Sequence, residues 1–255
     1  MLRLPTLDAV RLFAAAQAST GPAPAGWPGD GTAEDGPQAA AAGALKTDAG
    51  LDALGAAIAG HLAEDGACWI ADWPLPALRT RLREDLLRLQ SGAGLAEAAV
   101  GRGGERSARQ DIRGDRTCWL DDPRCGPAAA EFLGVLDRIR AAINRTAFLG
   151  LAEFEAHYAA YPPGAGYARH RDRFRDSDAR VVSWVTYLNP EWRDEDGGAL
   201  RLYTEDGQGG ERTIDRLPTG GSICFLSEIE HEVRPAHRPR HSIAGWMRRR
   251  VYDLP

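Results

Sequence analysis

The spacing of apolar residues changes once along this chain, near residue 154, and that change limits the folds open to it. Before that point apolar residues recur at helical spacing over residues 51–62, 77–89 and 127–149, with one short strand candidate at 67–70. After it come short β-rich runs divided by turn residues, at 154–161, 181–188, 200–203, 212–214, 222–226, 232–234 and 242–251. Helices followed by such strands predict an α+β protein in which helices pack on a closed or sandwiched β unit.

The N-terminal segment, residues 1–45, differs from the rest of the chain. Residues 3–18 are apolar-rich and predict a helix, and the remainder is dominated by Pro, Gly and Ala without periodicity. We expect this segment to be flexible or weakly structured. Residues 46–255 then form a single domain, with helical support over 46–153 and the β core over 154–251.

Composition excludes several classes of protein. The chain carries 31 basic and 36 acidic residues, a net charge of -5, so it lacks the basic surplus typical of a nucleic-acid-binding protein. No apolar run is long enough to predict a membrane span. The four cysteines have no C-x-x-C spacing, which argues against a zinc ribbon or a disulfide scaffold and favours free thiols in a reducing cytosol. We therefore expect a cytoplasmic monomer that binds neither nucleic acid nor membrane.

The first pattern with chemical content is His170-Arg-Asp172. At a strand end these two side chains point to the same face. His231, just after the apolar run 223–226, is the best candidate for a third ligand from a distant strand. Two His and one carboxylate leave three open positions, as non-haem Fe(II) oxygenases require, whereas zinc hydrolases more often use three His or H-E-x-x-H. A lone H-x-D is weak evidence, so the metal site depends on supporting residues.

Two further residues provide that support. Arg240 lies nine residues after His231. Inside a barrel such an arginine is expected to bind a carboxylate through two parallel hydrogen bonds, although an ion pair with Asp or Glu is the alternative. Tyr187 shares one face of the strand 181–188 with Val185, where it contacts either a ligand or, as a core tyrosine, the backbone. Both faces of this strand are apolar, which predicts that helices cover one of them.

In combination these motifs resemble the 2-oxoglutarate- and Fe(II)-dependent oxygenases, within them the prolyl hydroxylases that act on hypoxia-inducible factor and their bacterial relatives. The resemblance spans about residues 67–251. Beside the ligand pattern it is carried by D-I-R-G-D-R-T-C-W at 111–119, Y-P-P-G-A-G-Y-A-R-H at 161–170 (one residue shorter than in the family), Y-L-N at 187–189 followed by Trp192, and G-G-A-L-R at 197–201.

The resemblance implies a double-stranded β-helix, the cupin-like jelly roll, with N-terminal helices packed on its major sheet. It implies the following roles: iron ligands His170, Asp172 and His231; cosubstrate contacts Arg240, Tyr187 and Tyr161; pocket lining by Leu200, Trp246 and Val185. It also places Arg113 and Asp115 on a substrate-covering loop that a pair between Asp115 and Arg180 tethers to the barrel mouth. Residues 101–110 are expected to be either a loop over the substrate or a solvated connection.

The activity that the resemblance implies is hydroxylation of a prolyl residue in a protein, at the 4-position, coupled to decarboxylation of 2-oxoglutarate. Fe(II) and O2 are required, ascorbate is a candidate reductant, and a translation factor such as elongation factor Tu is a candidate substrate. One alternative is a hydroxylase of a free amino acid or small metabolite, and another is a non-catalytic β-barrel that binds ligands. Nucleic-acid demethylation is disfavoured by the acidic composition.

Overall fold

The computed structural model describes residues 6–8, 47–98, 112–173, 177–205 and 209–250. Its helices are α1 (Asp48–Glu64), α2 (Pro76–Ser91) and α3 (Pro127–Ala147), with a 3-10 turn at Asp194–Asp196. Its strands are β1 (Thr6–Asp8), β2 (Ala67–Ala71), β3 (Ala96–Glu97), β4 (Arg116–Trp119), β5 (Leu151–Tyr161), β6 (Tyr167–His170), β7 (Arg180–Tyr187), β8 (Leu200–Glu205), β9 (Glu211–Arg216), β10 (Gly221–Leu226), β11 (Glu230–Val233) and β12 (Arg240–Arg249).

The strands form two sheets. The major sheet has eight strands in the order β1-β2-β10-β7-β12-β5-β4-β3, and the minor sheet has four in the order β6-β11-β8-β9. All pairs are antiparallel except β1 with β2. This antiparallel core with its N-terminal helices confirms the predicted α+β jelly roll.

The helices cover the outer face of the major sheet. In α1 the apolar residues Leu51, Leu54, Ile58 and Leu62 are buried, and the Thr47 side chain caps the helix by accepting from the Gly50 N–H at 3.1 Å. Helix α1 packs so closely on α3 that a Cβ at Gly55 would clash with the Cβ of Ala142. This helical layer fixes one face of the sheet and leaves the other face to build the barrel interior.

Strand β7 shows how one strand serves two cores. Val182 and Trp184 point into the cluster beneath the helices, whereas Val185 and Tyr187 join a second cluster between the sheets. The alternation that the sequence predicts for this strand is therefore confirmed. The second cluster, called here the barrel core, consists of Ala67, Trp69, Ala159, Tyr161, Tyr187, Leu200, Leu202, Ile214, Ile223, Phe225 and Val233, with Val185 packed against it.

Two expectations need correction. The helix predicted over residues 3–18 is wrong at Thr6–Asp8, which pair in parallel with Trp69–Ala71 at the edge of the major sheet. Strand pairing there overrides the local helical pattern. Strands β3, β4 and β6 were not predicted, because each is short and lies beside Gly- and Pro-rich sequence. Most of the N-terminal segment and the loop at 101–110 lie outside the described residues.

The remaining expectations concern thiols and membranes. All four cysteines are free, although two pairs lie close: the Sγ atoms of Cys68 and Cys224 are 3.2 Å apart, and those of Cys118 and Cys125 are 3.9 Å apart. In the described part of the chain, no helix has the length and apolar character needed to cross a membrane.

Candidate active site

Two imidazoles and a carboxylate form a cluster at the paired strands β6 and β11 of the minor sheet. His170 ends β6, Asp172 follows two residues later, and His231 lies in β11 directly opposite His170 in the antiparallel register. The Nε2 atom of His231 lies 3.4 Å from Asp172 Oδ2, and that of His170 lies 3.6 Å from Asp172 Oδ1. One possible ligand atom from each residue lies within 4.8 Å of the others. The structure thus brings together the three residues that the sequence singled out.

The hydrogen bonds of the two imidazoles define which nitrogen faces the cluster. His170 Nδ1 lies 2.7 Å from the Ala168 carbonyl oxygen, and His231 Nδ1 lies 3.0 Å from that of Ile229. A carbonyl oxygen only accepts, so each Nδ1 carries a hydrogen and donates. Each Nε2 therefore turns toward Asp172, and a histidine in this arrangement binds a metal through Nε2.

Asp172 is held in its ionised form. Burial would raise its pKa, but the neighbouring His231 and His170 and the hydroxyl of Ser183 lower the pKa well below the usual range for a carboxyl. Ser183 Oγ donates to Asp172 Oδ2 at 2.6 Å and also lies 2.9 Å from Ser227 Oγ. Burial lowers the pKa of His231 to about 4, so an anionic carboxylate faces a neutral imidazole at neutral pH.

A second polar group lies in the barrel core, on the major sheet. Arg240 is 1% exposed, its Nε donates to the Gly198 carbonyl oxygen at 3.0 Å, and its Nη1 donates to Ser242 Oγ at 3.1 Å. Among the described residues its buried Nη2 has no hydrogen-bond partner, and neither does the buried hydroxyl of Tyr187. Buried polar atoms are rarely left unpaired in proteins, so two donors here point to an acceptor of suitable shape.

Aromatic and apolar residues surround this arginine. The guanidinium carbon lies 5.2 Å from the ring centre of Tyr161 and 5.4 Å from that of Tyr187. Burial raises the pKa of Tyr187 to about 12, against the opposing effect of Arg240, so its hydroxyl remains a donor. Leu200 is buried in the same cluster and Val185 packs against it. Four residues that the sequence analysis named beside Arg240 therefore lie in one cluster: Tyr161, Tyr187, Leu200 and Val185.

Trp246 lies farther along β12. It shares the Arg240 face of the strand, because the two positions are six residues apart. Its ring is covered by the Arg180 guanidinium at 3.5 Å, and its Nε1 is buried without a hydrogen-bond partner among the described residues. Ala244 lies between the two, opposite Val185. Trp246 thus belongs to the barrel face but not to the cluster around Arg240.

The tether predicted between Asp115 and Arg180 is wrong. Asp115 accepts two hydrogen bonds from Arg113, at 2.7 and 3.0 Å, and its side chain is fully buried. Arg180 instead donates to Glu155 Oε1, with contacts of 3.0 and 3.2 Å. The arginine on the same short segment as Asp115, and not the one on β7, makes the pair. That segment is still joined to the minor sheet, since the Gly114 N–H donates to the Gly166 carbonyl oxygen at 3.0 Å.

Known oxygenases share both the sequence pattern and the fold of this chain. A sequence profile of the 2OG-Fe(II) oxygenase superfamily matches residues 156–248. A crystal structure of a Pseudomonas putida prolyl-4-hydroxylase is 41% identical, with a TM-score of 0.68, and the match covers 77% of this chain and 100% of that one. This chain belongs to the 2OG-Fe(II) oxygenases. It is a prolyl 4-hydroxylase-type dioxygenase, and that family uses Fe(II), 2-oxoglutarate and O2.

Two further structures are similar to this oxygenase. A prolyl hydroxylase from Trichoplax adhaerens, solved with a hypoxia-inducible-factor peptide fragment, is 26% identical with a TM-score of 0.67; the match covers 78% of this chain and 90% of that one. A prolyl 4-hydroxylase from Phytophthora capsici is 17% identical with a TM-score of 0.60, covering 80% of this chain and 66% of that one. The Phytophthora match shows the shared fold alone.

The donor sets of the oxygenase fit the groups that the family uses. Two imidazole nitrogens and one carboxylate oxygen suit Fe(II) and leave positions for other ligands. The unpaired donors of Arg240 and Tyr187 suit a buried carboxylate, which 2-oxoglutarate has at its far end.

Sequence reasoning missed three contacts at this site. The ring of Tyr167 stacks on His170, with centres 3.6 Å apart, and Ser183 orients Asp172. His157, in the middle of β5, is buried beside Arg113. The sequence does contain a signal for His157: in a strand, positions 157, 159 and 161 lie on the same face, so His157 shares the face of Ala159 and Tyr161.

Proposed function

We propose that this oxygenase hydroxylates a prolyl residue of a protein at the 4-position. In this proposal His170, Asp172 and His231 bind Fe(II), and Arg240 with Tyr187 binds the C5 carboxylate of 2-oxoglutarate. The observation that carries it is the presence, in one barrel, of a cluster of three side chains with metal-ligand atoms and, separately, of two buried donors that lack a partner in the described part of the chain. A ligand-binding barrel without catalysis would need only one of these.

The protein residues supply geometry and electrostatics. Ser183 holds the Asp172 carboxylate, and the backbone bonds of both histidines hold their Nε2 atoms toward it. Arg240 neutralises a carboxylate in a place from which water is excluded, so its contribution is larger than at the surface. Fe(II), when bound with 2-oxoglutarate and O2, supplies the oxidative chemistry that inserts the hydroxyl group.

A polypeptide substrate is supported by similarity and by the site. The Pseudomonas relative is named a prolyl-4-hydroxylase, and the Trichoplax relative is in complex with a peptide fragment. In the oxygenase, the segment 112–119 packs beside the minor sheet and ends at Trp119, which is 36% exposed. Its ring centre lies 6.5 Å from that of Trp246 on the barrel face, so this exposed tryptophan is a suitable contact for a peptide.

The deciding experiment is mass spectrometry for hydroxyproline in the proteome of the source organism, with and without this gene. We expect at least one proline whose hydroxylation disappears with the gene and returns with the wild-type gene but not with His170→Ala. Purified elongation factor Tu is the first protein to test in vitro. A proteome without gene-dependent hydroxyproline would contradict the proposal, and a hydroxylated metabolite would then favour the small-molecule alternative.

Three finer expectations belong to the same proposal. The free thiols of all four cysteines agree with a cytoplasmic location. Ascorbate should sustain turnover by keeping the iron reduced. We expect a monomer, which size-exclusion chromatography with light scattering will test.

A further inference from the structure

We propose that His157 is a positioning residue of this oxygenase: its imidazole accepts a hydrogen bond from Arg113 and thereby fixes the segment 112–119 against the barrel. His157 lies in the middle of β5 and is 3% exposed. It shares a strand face with Ala159 and Tyr161, both in the barrel core, so its side chain lies on the inner side of the major sheet. The consequence for peptide binding rests on the proposed function; the structural role does not.

The contacts of His157 define a single protonation form. Its Nδ1 lies 3.0 Å from the Tyr158 carbonyl oxygen, which only accepts, so Nδ1 carries a hydrogen. Its Nε2 lies 3.2 Å from Arg113 Nη2, and a guanidinium only donates, so Nε2 must offer a lone pair. The neutral ring with hydrogen on Nδ1 is the form that satisfies both neighbours.

Arg113 connects this histidine to the metal-binding cluster. On one side its Nε and Nη2 donate to Asp115, whose side chain is fully buried. On its other side the guanidinium carbon of Arg113 lies 4.9 Å from the ring centre of Tyr167, and the Tyr167 ring stacks on that of His170. His157 is the acceptor that the major sheet contributes. Three elements therefore hold one guanidinium, and removing the major-sheet acceptor would leave a largely buried N–H unpaired.

His157 also supports the exposed end of the segment. It lies directly opposite Trp119 in the β4–β5 register, and the two ring centres are 5.3 Å apart at an interplanar angle of 89°. On its other side the Trp246 ring centre lies 5.5 Å away. A side chain at this position thus contacts both Arg113 and Trp119, the two ends of the segment. Loss of the imidazole acceptor is expected to loosen the segment from the Arg113 end.

The charged groups around His157 favour the neutral ring. Burial, first, and then the Arg113 guanidinium lower its pKa to about 4; Asp115 acts in the opposite direction and Arg180 in the same direction. Between pH 5.5 and 8 the imidazole should therefore keep its lone pair on Nε2 and its hydrogen bond to Arg113.

Two variants separate the hydrogen bond from the packing. His157→Gln places an amide, with an oxygen that can accept, near the position of Nε2, whereas His157→Phe keeps an aromatic ring and has no acceptor. Hydrogen–deuterium exchange of segment 112–119 is the readout, and the thermal unfolding midpoint checks that each variant is folded. We expect the Phe variant to exchange in this segment roughly tenfold faster than wild type and the Gln variant to recover most of the protection. Equal exchange in both variants would overturn the proposal.

A double substitution tests whether His157 acts through Arg113. In the Arg113→Met background, His157→Phe should add less than a twofold change in the exchange of segment 112–119, because the bond is already gone. If His157→Phe speeds the exchange of segment 112–119 by the same factor in the Arg113→Met background as in wild type, His157 does not act through Arg113 and the assignment is wrong.

The third test is spectroscopic and needs no substrate. Long-range proton–nitrogen correlation spectra of protein labelled at histidine nitrogen, assigned with His157→Gln, should show hydrogen on Nδ1 from pH 5.5 to 8. Hydrogen on Nε2, or titration within this range, would overturn the proposal. None of these readouts depends on hydroxyproline, so failure of the proposed function leaves them unaffected. Once a target peptide is known, its KM should rise about tenfold in the Phe variant and recover in the Gln variant.

Discussion

The barrel contains two clusters of polar side chains, and they call for ligands of opposite charge. In the cluster of His170, Asp172 and His231, lone pairs converge: each Nε2 faces a carboxylate oxygen at 3.4 or 3.6 Å. At Arg240 and Tyr187, donors converge, and a guanidinium nitrogen and a hydroxyl lie buried without an acceptor among the described residues. Converging lone pairs require a cation and converging donors require an anion. The side chains of one barrel thus suit a cation at the minor sheet and an anion at the major sheet; we call these the proposed cation site and the proposed anion site.

This difference predicts that each site can be damaged without the other. A substitution in the cluster should change Fe(II) affinity, and one at Arg240 or Tyr187 should change the affinity for 2-oxoglutarate.

His170→Ala or Asp172→Ala should abolish iron binding and turnover. Two remaining ligands do not hold Fe(II) facially with useful affinity. Iron content by elemental analysis and succinate production from 2-oxoglutarate are the measurements. Continued decarboxylation of 2-oxoglutarate in either variant would mean that the cation site is elsewhere.

Arg240→Lys should raise the KM for 2-oxoglutarate about thirtyfold while Fe(II) affinity stays near that of wild type. A planar guanidinium makes two parallel bonds to a carboxylate and an ammonium does not, a difference of about 2 kcal/mol in a buried site. Arg240→Ala should be worse, because the bound carboxylate would then lack a partner.

The matched control for Arg240 is a neighbouring arginine on the surface. Arg238→Ala and Arg234→Ala should barely change the KM for 2-oxoglutarate, since Arg234 is exposed and Arg238 pairs with Asp196 at 3.3 Å. If Arg238→Ala is the damaging substitution, the anion site has been assigned to the wrong arginine.

Ser183→Ala should weaken Fe(II) binding about tenfold and leave the KM for 2-oxoglutarate nearly constant. The hydroxyl orients Asp172 from 2.6 Å, and partners of metal ligands typically contribute tenfold or more to affinity. Calorimetric titration with Fe(II) under anaerobic conditions measures this. Ser222→Ala, which removes a buried hydroxyl bonded to Thr186 and the Trp73 carbonyl, is the control and should not change iron affinity.

Tyr187→Phe should have the smallest effect, about a fivefold rise in the KM for 2-oxoglutarate. The change removes one neutral donor, worth about 1 kcal/mol, and keeps the ring. Tyr158→Phe is the comparison: its hydroxyl donates to Asp85 at 3.0 Å beneath the helices, so stability should fall while this KM does not change. Equal KM values in Tyr187→Phe and wild type would assign the anion site to Arg240 alone.

The sequence predicted much of the fold because long periodic segments leave little choice. Strand β7 illustrates this: Val182 and Trp184 alternate with Val185 and Tyr187, and the structure buries the two sets in different cores. Short elements were not predictable in the same way. Strand β6 has four residues, and its place is set by pairing with β11 rather than by its own composition.

In the candidate site, too, some features could be predicted from the sequence and others could not. Motif spacing named the three residues that the structure clusters and the arginine and tyrosine with unpaired donors among the described residues, because metal ligands and a carboxylate-binding arginine need particular residue types at particular strand positions. The partner of Asp115 was predicted wrongly because sequence spacing does not say which arginine reaches a buried carboxylate. Arg113 makes that pair, and its second acceptor, His157, lies 44 residues away in sequence.

Strand β1 has a consequence for the behaviour of the protein in concentrated solution. Its three residues pair with one side of β2, the strand Ala-Cys-Trp-Ile-Ala, which contains no charged residue. Removal of β1 would turn β2 into a terminal strand whose free backbone groups could recruit a second molecule. A variant that starts at residue 47 is therefore expected to scatter more light as its concentration rises, before any loss of turnover becomes measurable.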